Sequence, residues 1–331
     1  MANCTVNQDL APWVMASTVE TIIICVFGAL GNSASLWCLI QCKRMNTAIK
    51  IQLGSFFTLL FTVCVVTLPG KVFVYYVSVF CRKDLLNQTF KTSISTANTI
   101  IAQMERVNFT FAAVYRLVAV RWPHRYKQIA TVKVVVASEV IAFLCVLLPW
   151  IIMWFLQIFP SGRSWMNLNF SNKKSSLSQL AAGFAATSYI LPLVVCLLAY
   201  LVMMFTLTFQ KKKELKASRS KTEQLSYAIR VLILVNILLD APHVIIHLVT
   251  LPRGHLSIVI IHMIFNLHLL VDSLIFIGLN PSYRRALMQL FKRCLPQAVA
   301  AHLSTVDDST VTRPETSLTT MNTKYHSVAA V

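Results

Sequence analysis

The stretch VYRLVAVRWPHRY, residues 114–126, closes a long apolar segment and places three arginines and a histidine within thirteen positions. A hydrophobic run that ends in a burst of basic residues is the pattern of a membrane span meeting its charged boundary. Arg116 stands at the very end of the run, and Arg121 and Arg125 lie beyond it. Upstream, the apolar character extends back to Ile94, and 94–120 is long enough to cross a bilayer, which takes about 20 residues.

The rest of the chain repeats this design. Of 331 residues, 56% are hydrophobic and only 13% are charged, and the mean hydropathy is +0.65. A soluble domain of this size would carry far more polar surface, so the composition is that of an integral membrane protein. Seven apolar runs recur, at about 19–41, 51–80, 94–120, 132–159, 180–209, 225–251 and 256–279. No turn-rich breaks interrupt them at the spacing of barrel strands, so the runs predict helices. No internal repeat points to a transporter built from two related halves. The net charge of +18 does not indicate nucleic acid, because the spans interrupt the basic residues. They read as flanks held at an anionic membrane face. The nine cysteines contain no CxxC pair, so no structural zinc or redox motif is indicated. Residues 1–17 are polar, so no cleavable leader is expected.

Orientation follows from the basic residues between spans. Seventeen fall on one side, from Lys43 and Arg44 through Arg121, Arg125 and the run Lys211–Lys213 to Lys292 and Arg293, against seven on the other. The richer side is predicted to be cytoplasmic, with the N-terminus outside. Three glycosylation sequons, at Asn3, Asn87 and Asn169, fall in segments assigned to the outside. A fourth, at Asn108, lies inside the third span and is predicted to be silent.

These features together resemble a rhodopsin-like G-protein-coupled receptor over about residues 19–294. Gly31-Asn32 is similar to the family's GN pair in the first span. Arg116 stands where the family's DRY arginine stands, with Pro123 and Tyr126 following at the usual distances. Pro192 with Tyr200, and Pro242 in LLDAPHVI, resemble the prolines and tyrosine of the fifth and sixth helices. The departures are equally plain. Tyr115 replaces the acid before the arginine, and Asp240 replaces the CWxP tryptophan. No acid stands near Leu60 or Phe61 in span two. Asp272-Ser273-Leu274-Ile275-Phe276 takes the NPxxY register. Lys91 replaces the cysteine at the top of helix three, so the family's usual disulfide is absent. Cys4 and Cys81 are the cysteines expected outside, either bridged to each other or unbridged. Vomeronasal-like, bitter-taste-like and other fast-diverging chemosensory receptors show comparable losses.

The resemblance implies a seven-helix transmembrane receptor in the plasma membrane. It divides the chain into an extracellular N-terminus (1–18), the helical domain (19–279), an amphipathic surface helix (280–295) and a disordered cytoplasmic tail (296–331). It implies an extracellular small-molecule or peptide ligand, coupling to heterotrimeric G proteins, and arrestin contact through the Ser/Thr-rich tail. No cofactor, metal or nucleic acid is implied.

Ionisable residues inside spans cost about 3 kcal/mol or more each, so each needs a reason. Asn98, Ala102, Glu105, Phe109, Ala112 and Arg116 recur at helical spacing and share one face of span three. His268 and Asp272 are four apart in span seven and can meet. A mid-membrane polar cluster of Asn32, Glu105, Arg106, His268 and Asp272 is therefore expected, either as a switch or as a structural ion pair. In span six, Asp240, His243 and His247 share a face around the kinking Pro242. By family position, Asn98, Tyr189, His262 and Asn266 complete a ligand pocket with them. So polar a pocket favours a small ligand with hydrogen-bonding or acidic groups. A metal at the His243/His247 pair is the weakest reading.

Arg116 complements its helix dipole, and its plainest role is to anchor the span. The resemblance adds a switch role with Tyr115, Arg116, Pro123, Tyr200, Pro242 and Asp272, in which Glu223 could supply the acid that Tyr115 does not. The segment PSYRRALMQLFKRC sets Tyr283, Leu287, Leu290 and Phe291 against Arg284, Arg285, Lys292 and Arg293, an amphipathic helix suited to membrane lipid. Cys294 follows as a palmitoylation candidate. Two alternatives are weighed against the receptor. A retinal protein would need a lysine in span seven, and residues 256–279 contain none. A channel or transporter would use Glu105, Asp240 and Asp272 as a polar path. No nucleophile–base or metal-ligand spacing indicates an enzyme.

Overall fold

The computed structural model of the protein describes residues 11–41, 45–79, 87–155, 176–211, 221–248 and 255–294. Within them the chain is about 95% helical, with no strand. In chain order the helices are α1 (Ala11–Gln41), α2 (Thr47–Thr62), α3 (Leu68–Val79), α4 (Gln88–Arg121), α5 (Pro123–Ile129) and α6 (Val132–Phe155). There follow α7 (Ser176–Lys211), α8 (Lys221–Leu248), α9 (Leu256–Asn266), α10 (His268–Gly278) and α11 (Pro281–Cys294).

Local chemistry sets several of the boundaries. Asn46 and Asn87 cap α2 and α4, their side-chain oxygens accepting from the N–H groups of Ala48 at 2.8 Å and Thr89 at 2.9 Å. Pro123 sits in the first turn of α5, where its missing N–H costs nothing. Between α2 and α3 the chain takes a π-helical turn, Val63–Thr67, just ahead of Pro69. A proline cannot donate to the helical ladder, and the wider turn lets the helix continue past it. The expected seventh run is likewise divided: α9 and α10 meet at Leu267. The His268 ring nitrogen Nδ1 bonds the Phe265 carbonyl there, and a side chain inserted into the ladder is a common origin of such a bend.

Six helical stretches are long and apolar enough to cross a membrane: Pro12–Gln41, Thr47–Val77, Val132–Ile152, Thr187–Phe209, Tyr227–Ile246 and Leu256–Gly278. Helices of this kind point to a multi-pass membrane protein. Their outward side chains are the large apolar ones, among them Leu30, Ile40, Ile141 and Phe205, each more than half exposed. Such a surface suits lipid and would be a liability in water.

Among the described residues six stretches meet this measure, where seven apolar runs were expected. The stretch 94–120 lies in α4, which is 34 residues long but too polar in the middle to qualify. Gln103, Glu105, Arg106 and Asn108 occupy two successive turns, and all four are buried. They face protein: α4 packs against α2, α3, α5, α6, α7 and α8. A helix ringed by others can carry polar groups that one facing lipid could not.

The core joins α2, α4 and α10 through aromatic rings. Phe57 lies 4.7 Å from Phe276 and Phe56 lies 5.2 Å from Phe109, between ring centroids. Helix α1 reaches the same core through two small residues. A Cβ on Gly28 would meet the Cys64 sulfur at 2.8 Å, and one on Gly31 would run into the Ser273 side chain. Asn32, fully buried, then donates to the carbonyls of Gly28 at 2.8 Å and Leu269 at 3.0 Å, fastening α1 to α10. The Gly31-Asn32 pair is thus a close approach followed by a clasp.

Two compact units divide the chain, one ending at Arg284 and the other beginning at Arg285. In the first, Tyr283 is buried, its ring 5.0 Å from Phe276 and its hydroxyl 3.8 Å from the Met45 sulfur. In the second, α11 continues with Met288 and Leu290 exposed. Asn3, Cys4, Cys81, Asn169 and the tail from 296 lie outside the described residues, as do the side chains of Glu223, His247 and Cys294.

Candidate functional site

Arg106, midway along α4, organises the polar centre. Its Nε and Nη2 donate to the two carboxylate oxygens of Asp240 on α8, at 2.7 and 2.6 Å. Nη2 also lies 2.9 Å from His243 Nδ1, one turn further along α8. The guanidinium carbon sits 4.4 Å from the centre of the Tyr189 ring on α7 and 5.5 Å from that of Phe265 on α9. One cation thereby ties four helices together. A bidentate, charge-assisted pair over aromatic faces is a favourable way to hold a buried guanidinium. Pro242 lies between Asp240 and His243, so the anchored stretch of α8 contains its proline.

A second layer lies beside the first. Glu105 Oε1 approaches His268 Nε2 on α10 to 2.9 Å, a close charge contact without hydrogen-bond alignment. Asp272, one turn on, accepts from Asn236 of α8 at 2.6 Å, and its other oxygen is buried without a partner. Between the layers is a cavity of about 30 Å³, whose lining includes Glu105, Arg106, Thr110, Asn236, Asp240 and Phe265. That is room for about one water molecule, against roughly 300 Å³ or more for a drug-sized ligand.

The predicted residues divide accordingly. Tyr189, Asp240 and His243 meet at Arg106. His262 joins them edge-on to His243, with ring centroids 5.0 Å apart, and His243 stacks on Phe265 at 3.9 Å. Asn98 turns instead to Thr67, accepting at 3.3 Å, and Asn266 is buried near the end of α9. Of the expected mid-membrane cluster, Glu105 and His268 come together. Arg106 does not join them: its partner is Asp240, because both oxygens of that carboxylate lie within reach of its fork. Asn32 reaches α10 by a backbone carbonyl and not through the carboxylates.

Other polar contacts are not announced by the sequence. Asn236 is four residues before Asp240 and shares its face, a spacing that could have flagged it. Asn108 donates to Ser55 and Glu139, both at 2.9 Å, joining α4 to α2 and α6. Gln103 accepts from the Trp150 indole at 2.8 Å and donates to Ser188 at 2.8 Å. No periodicity within one helix reveals partners on another.

At the other end of α4, Tyr115 leaves Arg116 alone and meets Ser138 of α6 at 3.1 Å. The Arg116 Nη2 is buried with no hydrogen-bond partner. The Tyr126 hydroxyl on α5 feels the Arg116 charge. Burial pushes that hydroxyl above its ordinary range, and Arg116 draws it part of the way back. Among the described residues no group of histidines, cysteines and acids could hold a metal ion. No family model matches the chain, and no curated protein matches it.

Proposed function

We propose that the chain is a divergent rhodopsin-like G-protein-coupled receptor in the plasma membrane. In this reading α4 is the third of seven crossings, the N-terminus is outside, and an extracellular ligand drives activation of heterotrimeric G proteins. The observation that carries it is the Arg106–Asp240 pair beside Pro242. It joins α8 to α4, the helix that carries Arg116 near its end, so movement of α8 about its proline changes the same helix that presents the cytoplasmic arginine. Two further contacts support it. The Phe276–Tyr283 ring pair suits the aromatic of an NPxxY-like segment meeting the following surface helix, and the buried Nη2 of Arg116 keeps a donor without a partner that a bound protein would satisfy once the helices part.

Expression with a promiscuous G protein in a reporter cell, screened against small organic compounds and peptides, tests the reading. Ligand-dependent signal that falls with Arg116→Ala, while ligand binding persists, is expected. Signal indifferent to Arg116→Ala would sink the switch assignment. The ion-path alternative draws on Glu105 and Asp240 lining one cavity. The guanidinium in that cavity and its one-water size oppose cation passage. Cation currents in cells without usable G proteins would favour it. Recruitment of arrestin by the Ser/Thr-rich tail belongs to the same proposal, and tail phosphorylation after stimulation checks it.

A further inference from the structure

His268 and Asp272 stand one turn apart on α10 and meet Glu105 of α4 and Asn236 of α8. Their contacts fix where hydrogens sit. The Phe265 carbonyl can only accept, so His268 Nδ1, which bonds it, carries a hydrogen. Nε2 of the same ring lies 2.9 Å from Glu105 Oε1. Two bare lone pairs would repel at that distance, so one proton belongs to this contact, on the nitrogen or on the oxygen. Either way, Glu105 and His268 together carry no net charge. Asn236 is oriented by the Leu232 carbonyl at 3.1 Å, so its amide nitrogen donates to Asp272 Oδ1. Asp272 Oδ2 is left without a partner in a fully buried residue.

No positive charge remains to balance Asp272. Among the described residues no ion pair includes it. Arg106 is committed to both oxygens of Asp240. His243 lies 3.6 Å from Asp240, but its Nδ1 faces an Arg106 nitrogen, which only donates, so that ring is neutral. His262 on α9 bonds the Ile258 carbonyl and stands against His243. On the α1 side the residues at this height are Gly28, Gly31 and Asn32, with Cys64 against them, none of them a cation.

A lone carboxylate in a membrane interior is costly, and it neutralises where nothing pairs it. We propose that Asp272 is a proton-binding site, whose carboxyl holds one exchangeable proton at neutral pH and makes the junction of α4, α8 and α10 responsive to pH. Loss of that proton places a bare negative charge one turn from the Glu105–His268 contact and loosens α10 from its neighbours. The one-water cavity is lined by Glu105 and Asn236, and so adjoins the partners of both α10 groups. The inference goes beyond the receptor reading and does not depend on it.

The test compares the thermal unfolding midpoint of the purified full-length protein, in neutral detergent, with that of Asp272→Asn across a pH series. The asparagine mimics the neutral carboxyl and cannot ionise. An unfolded aspartate releases its proton above about pH 4 while the folded one keeps it, so the parent should lose stability relative to the variant as pH rises. The change is up to about tenfold in the folding equilibrium per pH unit, the weight of one proton. Asp272→Ser, which also cannot ionise, replaces Asp272→Asn should the latter not fold. At neutral pH the infrared band of protonated carboxyl groups should be weaker in the variant than in the parent. The proposal is overturned if the difference in midpoint is independent of pH, if the parent gains on the variant as pH rises, or if the infrared bands are equal. A parent midpoint that rises when sodium replaces choline at constant ionic strength, with no such rise in the variant, would put a metal cation in the proton's place and overturn it too.

Discussion

Arg106 and Asp240 illustrate how a buried pair can be strong as a unit and fragile as two halves. Removing one partner strands the other charge, which costs about 3–5 kcal/mol, whereas replacing both with apolar side chains of similar volume is often close to neutral. Asp240→Ala is therefore expected to lower the unfolding midpoint sharply and reduce surface expression. Arg106→Leu combined with Asp240→Leu should recover most of the loss. A double variant as unstable as the single would show that the pair does not act as a unit. Tyr115 makes a different prediction. Its bond to Ser138 is neutral and worth about 0.5–1.5 kcal/mol, so Tyr115→Phe should barely change folding. Tyr115→Asp puts a carboxylate next to Arg116, whose Nη2 has none. Under the receptor reading this variant lowers ligand-free signalling, and a rise in that signalling would contradict the assignment.

At the scale of elements, the close approach of α1 to α10 depends on a missing side chain. Gly31 faces Ser273 with no space for a Cβ. Forcing atoms into such a contact typically costs about 1–3 kcal/mol. Gly31→Val should thus lower the unfolding midpoint, and Ser273→Gly in the same chain should restore part of it. An unchanged midpoint in Gly31→Val would mean that the helices part without cost. The loss should also weaken the Asn32 clasp, since Asn32 spans the same gap to the Leu269 carbonyl. Two other elements owe their form to single residues. Pro69 follows the π turn, and the His268 ring interrupts the ladder between α9 and α10.

For the whole molecule, the decisive property is which side of the membrane each connection occupies. Asn87 is exposed at the head of α4, while Asn108 is buried against Ser55 and Glu139. With the N-terminus outside, glycosidase digestion should shift the mobility of the full chain. That shift should vanish when Asn3, Asn87 and Asn169 are all changed to Gln, and Asn108→Gln should leave it unaltered. A shift lost only with Asn108→Gln would overturn the assignment of sides. The same burial explains why α4 can be the most polar of the long helices: its neighbours, and not lipid, supply the partners of its amides and charges.

Composition and run length alone determined that the chain is helical and apolar enough for a membrane, because a bilayer demands long unbroken stretches with their backbone bonds satisfied internally. Periodicity placed Ala102, Glu105 and Phe109 on one face, and the cavity is lined by all three. The pairing of Glu105 with His268 was legible only on the assumption that their two helices face each other. What only the tertiary structure decided was the choice of partner: Asp240 over Asp272 for Arg106, Ser138 over Arg116 for Tyr115, and Thr67 for Asn98. Spacing along one helix fixes which residues share a face, but says nothing of the rotation and depth at which a second helix presents its own. Ion pairs and hydrogen bonds reach only about 3 Å, so those two unknowns select the partner.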